Sequence, residues 1–115
     1  PGEPERGVHL SEGVAARFAR TTELLVNKVL RSLDRFELEP DGTLIDVINR
    51  AEKRGVVASA RDLRRMKELR NEIVREYLPS GQIDLLADLK THVPLLLETG
   101  EHTIEHASLA LKKVP

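Results

Sequence analysis

The chain has 115 residues, with 18 Lys and Arg against 19 Asp and Glu, for a formal net charge of −1. That length bounds it to one domain with a modest core, and the near-zero charge argues against a protein that coats DNA. Cysteine is absent, which excludes disulfides and thiolate metal sites, and the only aromatics are Phe18, Phe36 and Tyr77, which argues against an aromatic stacking platform for single strands.

No apolar run is long enough for a membrane span or a signal peptide, so the expected compartment is the cytoplasm, with no membrane partner. Pro1, Gly2, Pro4 and Gly7 make residues 1–10 read as a flexible N-terminal arm, and residues 11–115 as a single helical domain. Ser11 is a plausible N-cap for a helix running to about Phe36. Val14, Phe18, Leu25, Val29, Leu33 and Phe36 recur at helical spacing and form its expected buried stripe. Leu24, Val26 and Leu30 widen that apolar surface, as a helix touching two neighbours or a second subunit requires.

Pro40-Asp41-Gly42 marks the first turn. A second helix is expected over about Thr43 to Arg54, burying Leu44, Ile45, Ile48 and Ala51. Gly55 supplies its C-cap after the basic end at Lys53 and Arg54, and Val56-Val57 tuck the following loop inward. Ser59 with Asp62 has the spacing of a capping box. The third helix therefore starts near Ala60, runs to Leu78 and stops at Pro79-Ser80-Gly81.

The fourth begins near Gln82 and is expected to bury Ile83, Leu86, Leu89, Val93 and Leu97. Pro94 predicts a kink or a break after Thr91, and Gly100 a second interruption before a last segment with Ile104, Ala107 and Leu111. With no strand pattern and no repeat, the fold class is all-α, an antiparallel four-helix bundle of four to five helices.

The third helix is where polar chemistry and core packing meet. Leu63, Met66, Leu69, Ile73, Val74 and Tyr77 share one face, and Arg70 falls inside it. An arginine there needs a carboxylate partner or a solvated cleft. Both readings stand: a core-edge arginine neutralised by a neighbouring helix, or a guanidinium fork for phosphate oxygens. Asn71 and Arg75, spaced i, i+4, flank it. Around them, Arg50 to Arg75 carries nine basic residues against four acids, whereas Glu76 to Glu105 carries six acids against Lys90 alone. These are solvated helix faces with local ion pairs, or a basic surface for RNA or a nucleotide.

Arg70-Asn71-x-x-x-Arg75-x-Tyr77 resembles the Arg-x4-His-x-Tyr signature of HepT-like HEPN domains, small helical proteins paired with minimal nucleotidyltransferases. The helix and Gly-capped turn from Asp46 to Val57 resemble the segment before that signature, and the likeness covers roughly Ala15 to Leu97. The resemblance implies a HEPN-like homodimer in which two signature helices face a shared cleft. It implies a place as the RNase component of a toxin–antitoxin module, with a nucleotidyltransferase as antitoxin and RNA as target.

Arg70, Asn71 and Arg75 are then the catalytic candidates, for metal-independent cleavage by the ribose 2′-OH. Tyr77 matches the position that the partner adenylylates. No cofactor and no metal are implied. One departure matters: Arg75 stands where the family has histidine. Arginine, with a pKa above about 12, cannot exchange a proton near neutral pH. It can still hold phosphate or stabilise developing charge. The expectation is an RNA-directed HepT-like subunit with nuclease activity weak or lost. The alternative is a non-catalytic helical subunit that binds nucleotide or the nucleotidyltransferase.

His102-Thr103-Ile104-Glu105-His106 fits the His-x-x-Glu-His pattern of some zinc enzymes. A third ligand and a cleft are missing from so short a chain, so exposed helical histidines are expected there.

Overall fold

The computed structural model describes the backbone over residues 3–75 and 82–114, and side chains over residues 13–75 and 87–114. Among the described residues there are four helices and no strand, packed as an all-α helical bundle. The first, α1, is α-helical over Glu3–Leu24, widens to a π-helix over Leu25–Leu30 and resumes over Arg31–Phe36. Then follow α2 (Leu44–Arg54), α3 (Ala60–Arg75) and α4 (Gln82–Lys112).

The backbone of α1 is already helical from Glu3, well before the Ser11 start that the sequence predicts. Pro4 lies in the first turn, where a missing N–H breaks no helical bond.

The π-helical segment changes which side chains α1 buries. Phe18, Leu25 and Leu33 are buried as expected, but Val14, Val29 and Phe36 are exposed. Val26, Leu30 and even Asp34 take their place. An i→i+5 turn accommodates about one more residue than an α turn, so the buried face beyond it is rotated by about 100°. Leu30 and Asp34 turn inward, and Val29 and Phe36 turn out.

Two helix ends carry the same hydrogen-bond pattern with different residues. After α1, Leu38 N–H donates to Arg35 O and Glu39 N–H to Asp34 O. After α2, Gly55 N–H donates to Glu52 O and Val56 N–H to Ala51 O. Both are Schellman ends, which need a left-handed residue. Gly55 supplies it at φ 79° without steric cost, whereas Leu38 holds φ 60° with a full side chain. The predicted inward tuck of Val56 and Val57 is present.

Helix α2 starts with a capping box. Thr43 Oγ1 accepts from Asp46 N–H, and the Asp46 carboxylate accepts from Thr43 N–H at 2.8 Å. The Thr43 N–H bond, with a second from the Thr43 hydroxyl to the same oxygen at 3.0 Å, holds the Asp46 carboxyl below its ordinary value. At the start of α3, Ser59 Oγ takes the Arg61 N–H, as a capping residue should. Glu52 of α2 adds a bond across helices by accepting the Ala60 N–H at the first helical position.

The predicted breaks in the last helix are absent. Pro94 and Gly100 both lie within one continuous helix of 31 residues. Beside it, Arg65 of α3 meets Asp88, and Arg61 shares a cleft with His92, so α3 and α4 run antiparallel. The core joins Val26 and Leu30 of α1, Ile48 and Ala51 of α2, and Leu63, Met66 and Leu69 of α3. Helix α4 adds Leu89 and Leu96. Ile45 and Leu97, expected inside, face outward; Val47 and Leu96 occupy those core positions. The expected burial of Ile83 and Leu86 and the end of α3 near Leu78 lie outside the described residues. No helix of the described residues is long and apolar enough to cross a membrane.

Candidate anion-binding site

Leu63, Met66, Leu69 and Ile73 draw one face of α3 into the core. Arg70, next to Leu69, is thereby held at the core edge, with its side chain 28% exposed. Its Nε lies 3.1 Å from Glu23 Oε2, and its Nη1 donates to Asn71 Oδ1 at 3.0 Å. The same Glu23 oxygen accepts from Lys67 Nζ at 2.8 Å. Asn27, inside the π-helical segment, donates its amide to the other Glu23 oxygen.

One carboxylate from α1 thus gathers two cations of α3. The hydrogen bond from Lys67 leads, with the charges of Lys67 and Arg70 and the Asn27 amide, in pulling the Glu23 carboxyl below its ordinary value. Glu23 is therefore ionised at neutral pH.

Arg75 is exposed, and its Nε donates to the backbone oxygen of Asn71 at 3.4 Å. Asn71 accordingly links the two arginines, through its side chain to Arg70 and its carbonyl to Arg75. The structure puts Asn71 in contact with both Arg70 and Arg75, which lie about 140° apart around α3; Tyr77 lies outside the described residues.

The sequence reading did not name Glu23, Asn27 or Lys67 at this site. The i, i+4 spacing of Glu23 and Asn27 was visible in the sequence, but a pairing across 44 positions to Lys67 was not. The core-edge reading of Arg70 is the one the geometry displays, since Glu23 neutralises it from a neighbouring helix. Yet Lys67 and Arg70 share the one Glu23 carboxylate, and Arg75 meets only a backbone oxygen among the described residues. A cationic excess remains beside an apolar seam.

Chemically this arrangement can hold an anion. A guanidinium already fixed at Nε and Nη1 loses little freedom when its remaining N–H groups meet phosphate oxygens. It contains no imidazole. His92 lines the cleft with Arg61 and bonds Asp88 O through Nδ1, whereas His106 bonds Glu37. Glu72, the nearest described acid on α3, is taken by Arg65 at 3.1 Å, a bond that raises the Arg65 pKa further.

Much of the remaining basic run is neutralised. Arg50 and Arg54 converge on buried Asp34, with Glu39 and Glu37 beside them. Arg65 meets Glu68, Glu72 and Asp88. The His102 to His106 motif splits: Thr103 is buried, and His106 Nε2 lies 2.6 Å from Glu37 Oε1. Among the described residues no group of three or more His, Asp or Glu is placed to hold a metal ion. In comparisons with known proteins, no family model, no curated protein and no solved structure matches this chain.

Proposed function

We propose that this protein is a HepT-like HEPN subunit that binds RNA or nucleotide phosphate through Arg70, Asn71 and Arg75, with cleavage weak or lost. In that reading it acts in the cytoplasm, beside a second copy of itself and a minimal nucleotidyltransferase. The carrying observation is the clustering of Arg70 and Arg75 around Asn71, in cationic excess over Glu23.

The absence of an imidazole from the described part of this site favours binding over turnover. Metal-free cleavage through the 2′-OH needs a group that takes and gives a proton near neutral pH, and arginine does neither. What two arginines and a saturated carboxylate offer is fixed positive charge.

The test is binding and cleavage of labelled cellular RNA in the presence of a chelator. Wild-type protein is expected to bind with little turnover. Arg70→Ala should bind about tenfold more weakly, the worth of a charge-assisted contact. Arg75→His should gain chelator-resistant cleavage. Rapid cleavage by wild type, or RNA binding unchanged in Arg70→Ala, overturns the reading.

A further inference from the structure

Lys67 is the cation beside Arg70 to which the functional reading gives no role. It stands three residues before Arg70, so the two head groups are neighbours on α3. One oxygen, Glu23 Oε2, bridges them, 2.8 Å from Lys67 Nζ and 3.1 Å from Arg70 Nε. The other oxygen, Oε1, takes the Asn27 amide within its own helix. The carboxylate is thus divided, with one oxygen tied to α1 and the other joining both cations of α3.

A bridge of this kind is also what a phosphate oxygen makes, since carboxylate and phosphate offer lysine and arginine the same kind of acceptor. The Glu23 contact is replaceable as well. The Glu23 and Arg70 side chains are 35% and 28% exposed, and ion pairs at that depth are weak enough to exchange. Asn27 keeps a bond to Oε1 when Oε2 leaves, so the displaced carboxylate is not stranded.

Lys67 is set more deeply, at 15% exposed, and Glu23 is its one carboxylate among the described residues. An ammonium at that depth needs an anion beside it. In the free protein Glu23 fills that need; a ligand that removes Glu23 has to supply another anion in its place.

We infer that Lys67 is a second phosphate ligand beside Arg70, and that Glu23 holds its place in the free protein, so that an RNA phosphate binds by exchange with the Glu23 carboxylate. The assignment rests on the functional reading of this site and adds to it a ligand and an internal competitor. No bond is made or broken in the exchange beyond hydrogen bonds and ion pairs.

The test is binding of labelled cellular RNA across a series of salt concentrations, in chelator, with circular dichroism as the check on folding. Glu23→Gln keeps an acceptor oxygen and removes the charge, and Lys67→Met keeps the apolar stem and removes the ammonium. Glu23→Gln is expected to bind RNA severalfold more tightly than wild type. In that unmasked background, Lys67→Met should lower affinity about tenfold and the slope of log affinity against log salt by about one. Lys67→Gln takes its place if Lys67→Met loses helicity.

If Lys67 only neutralises Glu23, it has no partner once the carboxylate is gone, and the double variant matches Glu23→Gln in affinity and slope. That result overturns the inference. So does weaker binding by Glu23→Gln, which makes the carboxylate a support for Arg70 and not a competitor. Failure of the functional reading looks different and removes both: neither wild type nor Glu23→Gln binds RNA, or Arg70→Ala leaves binding unchanged.

Discussion

Two arginine clusters sit at different levels of the same bundle, and their stoichiometry differs. At the end of α1, Arg50 and Arg54 face three carboxylates, Asp34, Glu37 and Glu39. Along α3, Lys67 and Arg70 share the Glu23 carboxylate, and Arg75 meets the backbone oxygen of Asn71 with no carboxylate among the described residues. Burial differs in step: the Arg54 and Asp34 side chains are 8% and 6% exposed, against 28% for Arg70. A buried pair with surplus acceptors is a fastening, because desolvated charges must be compensated internally. A half-exposed cluster with surplus cations retains donors that a ligand can use. Residue type alone does not separate the two roles; the local charge count and access to solvent do.

The largest expected effect lies in the fastening. Asp34→Ala removes the buried carboxylate that Arg50 and Arg54 share, leaving them the more exposed Glu39 and Glu37, and should cost about 3 kcal/mol, as breaking a buried pair does. Thermal unfolding should shift downward by on the order of 10 °C, and a shift of a degree or two would mean the cluster is not a clamp. Arg70→Ala inverts the expectation: stability should change by less than about 1 kcal/mol, as for a partly exposed pair, while RNA affinity falls.

Glu23→Gln sharpens the contrast through pH. Because folding lowers the Glu23 pKa from its ordinary 4.5, the stability it contributes is present above that value and fades as pH falls through the depressed folded one. In the variant, acid denaturation should have a shallower slope through that window, and RNA affinity at neutral pH should rise severalfold as an internal negative charge is removed. An unchanged acid transition would mean that Glu23 is not coupled to Lys67 and Arg70 in solution.

The smallest effect concerns the cap that hands the chain from Asp34 towards α2. Leu38→Gly relieves a left-handed leucine and should stabilise by up to about 1 kcal/mol. Gly55→Ala, at the matching position after α2, should destabilise by about 1–2 kcal/mol. Chemical denaturation of the pair checks both signs together.

Local signals were legible wherever their physics is local. The Gly55 cap, the Thr43 start and the helical face of Leu63, Met66, Leu69 and Ile73 depend on residues within a few positions, and they could be read directly. Arg70 was legible as a conflict between charge and core, because its position in the apolar face is fixed by helical periodicity. Its resolution was not, since Glu23 arrives from another helix. Pro94 and Gly100 misled for the opposite reason: local preference against helix was overridden by buried residues on either side, Leu89 and Leu96 around Pro94 and Thr99 and Thr103 around Gly100.

Sequence periodicity and capping chemistry by themselves determine an all-α chain, its helix-forming segments and the placing of Arg70 in the apolar face of α3 with Asn71 and Arg75 at its side. Tertiary structure alone decided what those residues meet. A π-helical segment rotated the second half of α1, sending Asp34 inward to two arginines and Val29 and Phe36 outward. Packing then placed Glu23 between Lys67 and Arg70. The physical reason is range: periodicity and capping act over one or two turns, whereas the partner of a charge or of an apolar face depends on how helices distant in sequence are brought side by side.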